Sequence, residues 1–150
     1  MSKRISPIAS ALLFVAANLL FSVVCSSSVS APASAAAERV MIPNSAVAIW
    51  HAIDTQSATL EASIDSRKLA GVHHAAFAIR DLAQGLAARS PNLPADSLAK
   101  VRAQVNFVVI LAQRLDVTGD ANDLAGTQQN YAKLLRVLAA MKATYQPAAK

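Results

Sequence analysis

The sequence predicts an all-α fold, an up-down-up-down four-helix bundle behind an N-terminal signal peptide. Three observations carry this reading. Apolar residues recur at three- and four-residue spacing in four successive stretches. The 54% hydrophobic content is weighted to Ala, Leu and Val, with aromatics at 5%, which favours helices over strands. The breaks between stretches are short, and short connections make neighbouring helices antiparallel. A chain of 150 residues has room for one ordinary domain, and its apolar content excludes a disordered or collagen-like polymer.

Residues 1–35 read as the signal peptide. Lys3 and Arg4 open it, no acidic residue occurs before Glu38, and an apolar run extends from Ala11 to Val24, with small residues at Ala33-Ser34-Ala35. The run is about 14 residues long, short of the ~20 that a membrane span needs. Cleavage after Ala35 or Ala37 is the expectation, and an uncleaved anchor is the alternative. A further alternative is a lipoprotein anchored through Cys25, because a Ser-rich, tether-like stretch follows that residue; Val24, however, stands where a lipobox has a small residue. Cleavage removes the single cysteine, leaving a periplasmic or secreted domain without disulfide, Cys-based zinc site or covalently attached haem. With Lys3 and Arg4 gone, the 14 basic residues become 12 against 9 acidic, a net of +3. No Lys/Arg run exceeds Arg67-Lys68 and no aromatic platform interleaves with it, so nucleic acid is not an expected partner.

Residues 36–43 form an Ala/Pro-containing linker, and 44–146 the bundle. Asn44 or Ser45 caps the first helix, whose stripe is Trp50, Ile53, Ser57, Leu60 and Ile64. Asp65-Ser66-Arg67-Lys68 interrupts the pattern, and Gly71 suggests a tight reversal. The second stripe is Val72, Ala75, Ile79, Leu82 and Leu86, ended by Pro91 and Pro94. The third runs Leu98, Val101, Val105, Val108, Ala112 and Leu115, with Pro94 and Asp96 suited to its first turn. The β-branched run Val105–Ile110 sits inside that helical period and is read as helix. Gly119 closes the third helix, and Asp120 or Asn122 caps the fourth, which carries Leu124, Tyr131, Leu134 or Leu135, Leu138, Met141 or Lys142, and Tyr145. Pro147 stops it, and 147–150 is a C-terminal tail.

An exported chain of this size, with a Tyr near the end of the fourth helix, resembles the periplasmic cytochrome b and cytochrome c-prime bundles over residues 44–146. The b-type bundle holds haem between a Met early in the first helix and a His late in the fourth. This sequence has Trp50 or His51 and Met141 or Lys142 at those places, so His51 with Met141 would be a swapped pair. The c-prime attachment motif of two Cys and a His is absent, and haem binding does not carry over. The run from Lys68 to Leu82, Lys-Leu-Ala-Gly-Val-His-His-Ala-Ala-Phe-Ala-Ile-Arg-Asp-Leu, is similar to small haem-free exported bundles found around heavy-metal efflux systems. That likeness implies a role with metals.

Histidine is the commonest transition-metal ligand among side chains. His73 and His74 are adjacent, ~100° apart around a helix, and no His-x-x-x-His pair occurs. His51 falls about 18 Å from them along the bundle at ~1.5 Å per residue, which excludes a three-His site in one monomer. The metal candidates are therefore His73 and His74, completed by Asp65 or a second molecule; the alternative is a pair of ordinary solvent-facing histidines. Asp116, Asp120 and Asp123 lack EF-hand spacing and read as turn and cap residues. Phe77 and Arg80 share the outer side of the second helix with His73 and Gln84, as a partner surface or an aromatic lying on a neighbouring helix edge. Phe107, Val109, Ile110 and Leu111 widen the third stripe: this helix is either the most buried or meets a second protomer.

No nucleophile elbow or paired carboxylates support catalysis. The expectation is a non-enzymatic binding or accessory protein in envelope metal (Cu/Ni/Zn) homeostasis. It requires no cofactor for folding, binds a divalent transition metal weakly, has no integral membrane span in the mature chain, and has an envelope protein or a second copy as partner. A haem-bundle electron carrier and a structural adaptor are the alternatives.

Overall fold

The structure, a computed structural model, describes residues 40–145. The residues read as signal peptide, Cys25 among them, the expected linker up to residue 39, and residues 146–150, which include the expected tail, lie outside the described residues. Within them the chain is all-helical: α1 (Ala46–Asp65), a 3-10 turn at Leu69–Gly71, α2 (Val72–Ala88), α3 (Ala95–Asp120) and α4 (Leu124–Tyr145). None of these helices is long and apolar enough to cross a membrane.

Helix α1 begins where Ser45, in extended conformation, accepts the Ala48 N–H at 3.2 Å, which satisfies one of the orphan donors of the first turn. Ile49, Ile53, Leu60 and Ile64 are buried, whereas Trp50 is only half-buried and Ile49 takes its expected place in the core. The helix ends in a Schellman-type turn: Lys68 N–H reaches the Ser63 carbonyl at 2.9 Å and Arg67 N–H the Ile64 carbonyl at 3.0 Å. The left-handed residue of that turn is Arg67 (φ 56), so the reversal does not depend on Gly71, whose φ is −91.

All five residues of the second stripe are buried, and Ala76, Ala78 and Ala83 are buried beside them, making α2 the most enclosed helix. Small side chains on most of its circumference let α1 and α3 approach from two sides. Pro94 stands at the N-cap of α3 rather than in its first turn, with Asp96 just inside. The run Val105–Ile110 is helical throughout. Helix α3 continues through Gly119 to Asp120, and Asn122 (φ 52) supplies the left-handed turn, with Asp123 N–H on the Thr118 carbonyl at 2.9 Å. Asp123, not Asp120 or Asn122, caps α4: its Oδ1 accepts the Gly126 N–H at 2.9 Å.

The core runs between the helices through Leu60, Ile79, Leu82, Val108, Leu115, Leu134 and Met141. Helix α2 packs on α1 and α3, and α3 on α4. The α1–α4 seam is the least closely packed of the four. Specific contacts tie it: Tyr131 OH donates to the Ser57 carbonyl at 3.1 Å, Lys142 Nζ lies 3.0 Å from Asp54 Oδ2, and the Trp50 and Tyr145 rings meet edge to face at 5.7 Å.

Candidate metal centre

His73 is the second residue of α2, and Asp116 and Asp120 lie four residues apart near the end of α3. One ligand-capable atom from each falls within 4.8 Å of the others. The i, i+4 spacing stacks the two carboxylates on one face of α3. What brings that face to His73 is Gly119. A Cβ there would stand 3.1 Å from the Leu69 carbonyl oxygen and 3.3 Å from Val72 Cβ. Lacking one, the α3 backbone lies directly on the turn that starts α2, and the first imidazole after that turn faces the carboxylates.

One imidazole and two carboxylates make a nitrogen-plus-oxygen donor set of the kind divalent transition metals accept. His73 and Asp116 are half-buried and Asp120 is exposed, so the group is open to solvent on one side. Three protein ligands leave coordination positions for water or a further donor.

Of the two histidines singled out by sequence, only His73 belongs to this group. His74 is exposed, and its ring lies 3.8 Å from that of His73, centroid to centroid, at 42°. Asp65, at the exposed end of α1, is not in the group, and Asp123 is engaged as a helix cap. Asp116 and Asp120 were legible only as turn and cap residues. The signal that marks them is their four-residue spacing on a helix, the same criterion applied to histidines.

Phe77 is half-buried and packs against the core, with the Arg80 guanidinium 4.5 Å above its ring. Arg80 Nε is in turn paired with Asp81 Oδ1 at 2.7 Å, both side chains about one-third exposed. These residues are engaged with one another on the α2 surface, one and two turns beyond His73.

A recess of about 390 Å³ lies in the α1–α4 seam, lined by Trp50, His51, Asp54, Lys142 and Tyr145. The Trp50 Nε1 is buried there without a hydrogen-bond partner. His51 is exposed on its wall, whereas Met141 has no exposed surface and does not line it. Burial pushes the Tyr131 hydroxyl up to about 12, reinforced by the nearby carboxylates of Glu61 and Asp65. Burial also raises Tyr145, whose hydroxyl meets Ser90 Oγ at 2.8 Å, a contact that pulls the other way.

No protein-family model, curated protein or solved structure matches this chain.

Proposed function

We propose that this protein is an exported, non-enzymatic helical bundle that binds a divalent transition metal in the cell envelope, in a metal-homeostasis role. The observation that carries the reading is the convergence of His73, Asp116 and Asp120 within 4.8 Å. His73 supplies a neutral imidazole nitrogen, and the two carboxylates supply oxygen donors and two negative charges that offset those of the ion. Partial exposure suits a site that loads and releases its ion rather than one that buries it for structural purposes.

An up-down-up-down path is part of the same reading. Its support is that early α1 meets late α4 at Trp50–Tyr145 and Asp54–Lys142, and that late α3 meets early α2 at Gly119–Val72. Export is supported by the basic, apolar and small-residue order of residues 1–35.

Elemental analysis of the protein purified from its native envelope tests the proposal. About one equivalent of Zn, Cu or Ni per chain is expected in the wild type and substantially less in Asp116→Asn/Asp120→Asn. The same trace content in both proteins would overturn it.

A further inference from the structure

Helix α3 and its C-cap present a second line of residues on the side away from the core, apolar except for Arg114. Ala103, Phe107, Ile110, Arg114, Val117 and Ala121 follow one another at spacings of four, three, four, three and four, and all six are exposed. Phe107, Ile110 and Val117 are 57%, 45% and 66% exposed, among the largest apolar exposures of the described residues. A 4-3 alternation is the spacing along which paired helices meet, and its three large apolar members, Phe107, Ile110 and Val117, lie on one face. It is independent of the core stripe of Val101, Val105, Val108, Ala112 and Leu115 on the opposite side.

The line is complementary to itself when a second copy runs antiparallel about a two-fold axis level with Leu111. Phe107 lies four residues before that level and Arg114 three after it, so each Phe107 comes beside Arg114 of the partner subunit. There the structure has a depression of about 260 Å³ lined by Ile110, Arg114, Val117, Thr118 and Asn130. An aromatic ring fits a recess of that size, and a guanidinium at its edge favours a ring face. Arg102 and Asp120 are exposed on one flank of α3, nine residues before and nine after the axis, so the same register brings them into opposite-charge pairs twice over. Knob, recess and charges thus match in one register.

We propose that the outer face of α3 is the interface of an antiparallel homodimer, with Ile110 beside the two-fold axis and Phe107 seated in the Arg114–Asn130 recess of the second copy. Asp120 also belongs to the candidate metal centre, so association is measured with the ion removed, where its carboxylate is free to pair with Arg102 of the partner subunit. Failure of the dimer and failure of the metal reading are then separable.

The test is light-scattering mass across a dilution series, on the exported protein purified with chelator. The wild type is expected at twice the monomer mass. Ile110→Glu, which places two like charges beside the axis, is expected at monomer mass with an unchanged helical spectrum and a cooperative melt whose midpoint no longer depends on protein concentration. Arg102→Asp is expected to weaken association at least about tenfold, and Arg102→Asp/Asp120→Arg to restore it. A monomeric wild type, a dimer indifferent to Ile110→Glu, or a charge swap that fails to restore association would overturn the proposal.

Discussion

Asp116 and Asp120 stand one helical turn apart on α3, and both reach the imidazole of His73 on α2. Residues 43 to 47 positions apart in sequence meet because Gly119, between the two carboxylates, lets the α3 backbone settle against Leu69 and Val72. The candidate site is therefore a consequence of how two helix ends pack.

That dependence makes Gly119 a testable position. Ala is better than Gly in a helix interior by about 0.5–1 kcal/mol, but a Cβ 3.1 Å from the Leu69 carbonyl oxygen must displace backbone. Gly119→Ala is expected to lower stability by about 1 kcal/mol net and to weaken metal binding by moving the carboxylates from His73. Gly71→Ala, where nothing lies within 4 Å, should leave both unchanged. Denaturant melts with and without Zn²⁺ compare them. Equal stability in wild type and Gly119→Ala would show that the close approach does not set the site.

Much of the architecture was readable before the structure. The second and third stripes repeat at helical period without interruption, and every residue named in them from Val72 to Leu115 is buried except Leu98, which is half-buried. Helix ends were less legible. Gly71 and Gly119 looked like terminators, yet Arg67 and Asn122 take the left-handed positions, leaving Gly119 free to serve close packing. Trp50 looked like a core residue because large apolar side chains usually are; the seam it occupies is loosely packed, and Ile49 fills the core instead. His73 was identifiable from its side chain. Its partners were not, because the register of α3 on α2 is decided by tertiary contact rather than by local pattern.

The core of Ile, Leu, Val, Ala and Met side chains is continuous without the candidate site. Chelated protein is therefore expected to keep its helical spectrum and melt cooperatively, unlike a domain whose folding is metal-driven. Saturating Zn²⁺ adds stability by mass action, about 2.7 kcal/mol at a free concentration 100 times the dissociation constant. An unfolded apo protein would contradict this account of the core.

Alkaline pH provides a separate check on the α1–α4 seam. The Tyr131 hydroxyl is held protonated up to about 12, so between about 10 and 12 the folded protein binds a proton that the unfolded chain has lost. Stability contributed by that difference is complete below pH ~10 and falls as pH rises toward 12. The chain has two tyrosines, and both are raised by burial. Phenolate absorbance in Tyr145→Phe should consequently rise well above the ordinary tyrosine range, whereas a midpoint near 10 would mean that Tyr131 is open to water.

The central claim is that His73, Asp116 and Asp120 act together on one ion. Titration calorimetry with Zn²⁺ at neutral pH tests it directly, using the wild type, His73→Ala, His74→Ala and Asp116→Asn/Asp120→Asn. The wild type and His74→Ala are expected to bind one equivalent with similar affinity, and the other two to bind at least about tenfold more weakly, a loss of ~1.4 kcal/mol or more. Binding should also fade as pH drops, because only the neutral imidazole ligates and protons compete with the ion. The same affinity in all four proteins, or no binding by the wild type, would contradict the account.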